Sequence, residues 1–302
     1  MKNKMKFIIL MFILISIPKW IKALDIYNNN YINSEGVQMS ETQVNNLRKL
    51  GFTDPEIENM DEEEFLNNKN LEGEVVASTI KYYKTEKYIP GGNPQLIQNI
   101  NKSIIVTTEI TKEEFENCNN EPKITQNDFS TNVVSTEYKS MYSTITSING
   151  RYRYKNYVTW KKLPFWRTID IIGLGIEKEK VYPISSTSYF KAYYSDGGAS
   201  TKSGTWKKSP TGYAVTFDWP SYNLIAEKFY VTLYFEVDKQ NENKNINVLN
   251  AYGDYSHCQG TCGSTASIGV SIGDGGLSIS GSVSSKFDAI STSQATLTGI
   301  NW

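Results

Sequence analysis

Beyond residue 130 the apolar positions of this chain alternate with polar ones, the two-residue period of strands with one buried face. Asn149-Gly150 is a strong two-residue hairpin signal. Folding about it sets Ile145 beside Tyr154, Met141 beside Val158 and Lys139 beside Trp160 on one face. The opposite face pairs Thr146 with Arg153 and Thr144 with Lys155. A second hairpin centres on Asp274-Gly275. There Ile272 meets Leu277, Val270 meets Ile279, Ile268 meets Gly281 and Ala266 meets Val283, with Ser and Gly between them. Turn and apolar stripe demand the same register, so the pairing is well specified. Further strands are predicted at Tyr189–Tyr194 and Ala199–Trp206 around Asp196-Gly197-Gly198, and at Phe229–Val237 and Ile246–Tyr255. Val75–Tyr83 and Ile104–Ile110 extend the pattern upstream.

Residues 39–70 read differently. Ser40 with Gln43, Thr53 with Glu56, and Asp61 with Glu64 are successive capping-box spacings. Val44, Leu47 and Leu50 share a helical face, Gly51 is a stop signal, and Ile57, Met60 and Phe65 supply further apolar contacts. The expected fold is therefore mainly β: an antiparallel β-sandwich or barrel preceded by a small helical N-terminal segment.

The N-terminus carries Lys2, Lys4 and Lys6, then an apolar run from Phe7 to Ile17 broken only by Ser16. That run is shorter than the roughly 20 residues a spanning helix needs. Residues 1–23 read as a signal peptide cleaved near Ala23, which places the mature protein outside the cell, free or at its surface. The remainder divides into an acidic helical leader (24–75), a mixed strand and loop region (76–128) and an antiparallel β domain (129–302).

Charge sharpens this division. The leader holds twelve acids against three bases, and residues 76–302 hold 23 bases against twenty acids. Opposite signs predict attraction between the two parts. So mild a basic balance, behind an export signal, excludes a nucleic-acid binder.

Between Tyr138 and Ile169 stand seven bases and no acid. Strand alternation turns Arg151, Arg153 and Lys155 outward and Tyr152 and Tyr154 inward. With Trp160, Lys161 and Trp166 they make a candidate contact for an anionic cell-surface polymer or a membrane surface. An ordinary half-exposed hairpin accounts for the same pattern. The hairpin at 264–285 has a sharper reading. Each arm is about ten residues, near the 9–11 that cross a bilayer when tilted. Ile268, Val270, Ile272, Leu277, Ile279 and Val283 form one apolar face, and Asp274 is the sole charge between Gly263 and Lys286. In this it resembles the insertion hairpins of aerolysin-like β-pore-forming toxins. The plainer alternative puts those six residues in a core.

Cys258 and Cys262 flank a short loop beside His257, the single histidine. An oxidising compartment favours a Cys258–Cys262 disulfide. A zinc set with Cys118 and a Cys–His nucleophile are the other chemistries these residues offer. No catalytic residue, metal or cofactor, nucleotides included, is assigned. A carboxylate-only hydrolase would have to draw on Asp170, Glu177, Asp218, Glu236 or Asp254, whose spacing is not diagnostic.

Several segments together resemble a family of secreted β-rich proteins from spore-forming Gram-positive bacteria. They are Ser40-Glu41-Thr42-Gln43, Leu50-Gly51-Phe52, Glu62-Glu63-Glu64-Phe65 and Tyr82-Tyr83-Lys84. Trp160-Lys161-Lys162-Leu163-Pro164-Phe165-Trp166 and Ala251-Tyr252-Gly253-Asp254-Tyr255-Ser256-His257 complete the set. The family has no established activity, so the resemblance implies no ligand and no catalytic residue. The expectation is a secreted, non-enzymatic extracellular or cell-surface binding protein. A membrane-active protein inserting the 264–285 hairpin and a carboxylate-dependent hydrolase are the alternatives.

Overall fold

The computed structural model describes residues 30–88, 104–118, 133–164, 166–195, 199–220, 227–242, 244–265, 268–273, 276–280, 284–288 and 290–302. The proposed signal peptide, Phe165, the Asp196-Gly197-Gly198 and Asp274-Gly275 turns, Ala266, Gly281 and Val283 lie outside them.

The described chain opens with a two-stranded ribbon, β1 (Asn30–Ile32) and β2 (Gln38–Ser40). Three short helices follow: α1 (Glu41–Lys49), α2 (Asp54–Glu58) and α3 (Glu62–Asn68). Reciprocal capping boxes start α1 at Ser40 and Gln43 and α2 at Thr53 and Glu56. At α3, Asp61 accepts from the Glu64 N–H. Gly51 ends the first helical turn at φ +87°, and a Cβ there would meet Val75 Cγ2 at 2.7 Å. Both facts exclude a larger residue.

The body begins with β3 (Gly73–Tyr88), β4 (Ile104–Ile110) and the small helix α4 (Lys112–Glu116). Strands β5 (Val133–Ile148), β6 (Arg151–Lys162), β7 (Ile169–Ile176), β8 (Val181–Pro183) and β9 (Tyr189–Tyr194) come next. After them run β10 (Ser200–Thr201), β11 (Thr205–Ser209), β12 (Gly212–Asp218), β13 (Phe229–Lys239) and β14 (Val248–His257). The chain closes with β15 (Gly269–Gly273), β16 (Gly276–Ser280) and β17 (Ser293–Thr298).

These strands build an eight-stranded sheet in the order β10-β9-β13-β6-β5-β3-β4, with β8 also on β13. A five-stranded sheet runs β11-β12-β7-β14-β17. All described pairings are antiparallel, and among the described residues neither sheet closes on itself. The architecture is a sandwich, not a barrel. Its core is apolar and aromatic, with Met141, Ile145, Tyr154, Val158 and Trp160 of the large sheet against Ile172, Leu174, Val215, Phe217 and Tyr255 of the small one. The sheets approach so closely at Gly253 that a Cβ there would lie 2.2 Å from Ser143 Oγ.

Both hairpin registers match the sequence expectation. Asn149, at φ 48°, and Gly150 turn β5 into β6, pairing Ile145 with Tyr154, Met141 with Val158 and Lys139 with Trp160. Ile272 pairs with Leu277 and Val270 with Ile279 across β15–β16.

The outer faces differ from expectation. Strand β7 is buried at every position, because the β15–β16 hairpin covers its second side. The large sheet's outer face is covered as well, by the leader. Val44, Leu47, Leu50, Phe52, Ile57, Met60 and Phe65 pack there with Ile148 and Tyr234. Each such side chain stabilises by about 1.5–3 kcal/mol when fully buried.

Candidate functional site

The middle of the basic stripe of β6 does not face solvent. Arg153, Lys155 and Trp160 are buried. Trp160 points into the sandwich core, while Arg153 and Lys155 point outward into the leader's underside. Alternation placed them correctly on the face opposite Tyr154. Coverage of that face was invisible in the local pattern, and it corrects their assignment as a solvent-facing contact.

Lys155 Nζ lies 2.8 Å from Glu56 Oε2, both side chains buried, and also donates to the Gly51 carbonyl. Glu56 is the third residue of α2, so one carboxylate closes a capping box, holds Lys155 and accepts from Thr232 Oγ1 at 3.0 Å. Arg153 donates to Asn68 Oδ1 at 2.7 Å and pairs with Glu236 at 3.2 Å, its guanidinium 4.7 Å from the Tyr234 ring centroid. Lys191 reaches Glu35 at 3.3 Å, and Lys202 reaches Asp61 at 2.7 Å. Beside them burial pushes the Glu64 carboxyl up to about 7. Glu35, Glu56, Asp61 and Glu63 of the leader thus pair with lysines of the body.

The other contact residues fall apart as a patch. Arg151 is exposed at the turn, 3.4 Å from Asp238. Lys161 clips the end of α4, 2.8 Å from the Glu116 carbonyl and 3.0 Å from its carboxylate. Trp166 is half-buried, with Lys87 Nζ 5.8 Å from its ring centroid. Ten strand steps at about 3.3 Å separate Arg151 from Lys161, roughly 33 Å.

A second polar cluster lies inside the sandwich. Glu137 and Lys139 sit two apart on β5 and so share the inward face. Opposite them, β7 pairs with β14, setting Asp170 directly beside His257. His257 Nδ1 is 2.6 Å from Asp170 Oδ1, and Tyr255 donates its hydroxyl to Asp170 Oδ2. Burial opposes an imidazolium at His257, but the Asp170 carboxylate outweighs it and raises the pKa. Trp160 Nε1 donates to Tyr255 Oη at 3.0 Å. Asp288 follows Phe287, which bridges to Cys258. Its Oδ1 accepts from the His257 backbone N–H at 2.7 Å, and its Oδ2 contacts Lys139 Nζ. Glu137 Oε2 accepts from Gln259 Nε2 at 2.7 Å, and burial raises the Glu137 pKa. Lys87 donates to the Gln259 carbonyl at 2.8 Å.

Sequence reasoning counted Lys139 only as one of the seven bases between Tyr138 and Ile169. The signal that would have found it was its own pairing, which placed it on the apolar face beside Trp160. Glu137 shares that parity. Asp288 carried no local signal.

Cys258 and Cys262 form a disulfide, buried with Ile169, Ile171, Ile268 and Phe287. Cys118 packs elsewhere, against Phe115 and Tyr138. Among the described residues no group of three or more His, Cys, Asp or Glu side chains could hold a metal ion. The five carboxylates considered for hydrolysis are dispersed. Asp170 holds His257, Glu177 pairs with Lys180, Glu236 pairs with Arg153 and Asp218 is exposed. Asp254 accepts from the Leu277 N–H at 3.1 Å and Thr292 Oγ1 at 2.9 Å, and burial pushes its pKa up to about 7.

The apolar face of the β15–β16 hairpin lies on the small sheet. Ile268 and Ile272 are buried, Val270, Leu277 and Ile279 partly so. No described helix is long and apolar enough to cross a membrane.

No protein-family model matches the sequence, and no curated protein matches it. Solved structures share a distant likeness. The pilus backbone RrgB of Streptococcus pneumoniae is 8% identical at a TM-score of 0.26, over 49% of this chain and 40% of that one. The N-terminal domain of the Streptococcus gordonii adhesin Sgo0707 is 12% identical at 0.29, over 74% and 56%. The collagen adhesin of Staphylococcus aureus is 8% identical at 0.22, over 61% and 80%. The chain therefore spans less than two thirds of the first two. Scores this low leave ligand and partner to be argued from the molecule itself.

Proposed function

We propose that the protein works outside the cell as a non-enzymatic surface or binding protein. The Cys258–Cys262 disulfide supports this most directly, since such a bond persists in oxidising compartments. The basic signal peptide at residues 1–23 gives the route out. Asp170, Glu236 and Asp254, which sequence offered for chemistry, are engaged in holding strands and layers together, which suits a rigid scaffold.

Its partner is an anionic polymer of the cell surface, met by exposed Lys162 and half-buried Trp166 at the α4 end of β6. Expression in a Gram-positive host tests both parts. The secreted protein should begin near residue 24 and carry no free thiol at Cys258 or Cys262. Wall teichoic acid should retain it on a column at low salt, and Lys162→Glu with Trp166→Ala should abolish retention while circular dichroism stays unchanged. Cytoplasmic accumulation with the leader peptide intact removes the extracellular reading. Undiminished retention by the double variant removes the contact.

A further inference from the structure

The Lys139–Asp288 pair has features that a structural ion pair does not need. The two side chains are 1% and 0% exposed, so both charges have left water. Nothing local brings them together, since 149 residues separate them. The amine lies 4.6 Å from the Trp160 ring centroid and 6.0 Å from that of Tyr255, an aromatic cage that excludes solvent. Taking both charges out of water is costly, and a neutral amide between the two side chains would carry no such cost. The neutral amine is the nucleophile.

The acid is also set up as an electrophile. Its Oδ1 takes the His257 backbone N–H at 2.7 Å, the placement of a donor for developing oxyanion charge. Its backbone is pinned on both sides, the Asp288 N–H donating to the His257 carbonyl at 3.0 Å and Ser256 Oγ donating to the Asp288 carbonyl at 3.2 Å. Asp288 Oδ2 is left facing Lys139 Nζ. Glu137, two residues before Lys139, interacts electrostatically with both partners. It is 1% exposed, and among the described residues its Oε1 has no hydrogen-bond partner. Burial favours its protonated form, which can give and take a proton.

We propose that Lys139 and Asp288 react with each other after folding, forming an intramolecular amide between Lys139 Nζ and Asp288 Cγ. The ammonium first passes a proton to the Asp288 carboxylate, leaving amine and acid. Nζ attacks Cγ, and Oδ1 gathers negative charge against the His257 N–H. Glu137 gives its proton to Oδ2 and receives the one shed by Nζ. The Cγ–Oδ2 bond breaks and one water leaves. Ammonium plus carboxylate becomes amide plus water, with no change of oxidation state and no co-reactant. Effective molarities of about 10⁵–10⁸ M for well-oriented intramolecular partners favour a condensation that free amines and acids in water resist. The product removes two buried charges and bolts β5 of the large sheet to the segment following the hairpin on the small one. This inference is independent of what the protein binds.

A tryptic digest of the full, secreted, reduced protein decides it by mass spectrometry. The expected product is a branched peptide joining residues 124–151 to 287–302, one water lighter than the two linear peptides together, with no cleavage after Lys139. Unlinked peptides 124–139, 140–151 and 287–302 at full mass overturn the proposal. Lys139→Ala and Asp288→Ala should each abolish the branch, and a branch persisting in either would overturn the assignment. Asp288→Asn should give the same branched product by releasing ammonia. Glu137→Gln keeps the size and the Gln259 contact, and should form the branch on the order of 100-fold more slowly after refolding. An unchanged rate would remove Glu137 from the chemistry. Circular dichroism verifies each variant's fold, and the wild-type digest is decisive even if a variant fails to fold.

Discussion

The two coverings of this sandwich solve one problem in opposite ways. Residues 30–70 cover the large sheet with helices whose underside combines an apolar cluster with the Lys155–Glu56 and Lys191–Glu35 pairs. The β15–β16 hairpin covers the small sheet with an aliphatic stripe, and Asp254 of β14 accepts from its Leu277 N–H. Ion pairs demand one orientation, because a buried charge tolerates little but its own partner. An aliphatic stripe is permissive and relies on register for its specificity. The leader should therefore be the more brittle of the two when a single partner is removed.

The largest effect is expected at Lys155. Lys155→Ala leaves the Glu56 carboxylate buried with its ion-pair partner gone, which should cost about 3–5 kcal/mol. Urea unfolding measures the loss, and limited proteolysis should show residues 30–70 cut first. Adding Glu56→Gln should recover part of it. A loss below about 1 kcal/mol would show that the leader is held by its apolar cluster alone.

At the hairpin the sign reverses. Folding raises the Asp254 pKa from 3.8 to about 7, so the native state binds the extra proton between those values. Stability therefore falls as pH rises across that window. Asp254→Asn keeps an acceptor for the Leu277 N–H and removes the penalty. It should stabilise by about 2–4 kcal/mol at pH 8 and by almost nothing below pH 4. Thermal melts across pH would sink this account if the two proteins differed equally throughout.

The disulfide closes a loop of sequence separation four. Chain entropy for so short a loop gives about 2 kcal/mol, so Cys258→Ser with Cys262→Ser should lower the melting point modestly while preserving the sandwich. Unfolding at room temperature would mean that the covalent tie carries far more than loop entropy. The smallest effect belongs to Arg151, whose exposed pair with Asp238 is worth about 0–1 kcal/mol. A larger loss for Arg151→Ala would reveal a contact beyond that pair.

Local signals read well where one residue's neighbours in sequence were also its neighbours in space. Asn149-Gly150 set the β5–β6 register, and the apolar stripe set the pairing of Ile272 with Leu277. Ser40 and Thr53 announced their helices because a cap is satisfied within four residues. Reading failed where a second layer arrived from far along the chain. Arg153 and Lys155 alternate like any solvent-facing residues, and their partners Asn68 and Glu56 lie 85 and 99 positions away. The β7 run Ile169–Ile176 did hold a clue, since near-continuous apolarity marks a strand covered on both faces.

The sequence by itself determined an antiparallel, strand-built body, the turns that pin its hairpins, and a leader opposite to it in charge. Those properties are periodic or local, so a few consecutive residues encode each. Only the tertiary structure decided that the leader's acids seat on Lys155, Lys191 and Lys202, and that Lys139 meets Asp288 in a dry aromatic cage. Burial and ion pairing depend on which surfaces come together, and the chain settles that by packing layers whose paired members are 85 to 156 residues apart.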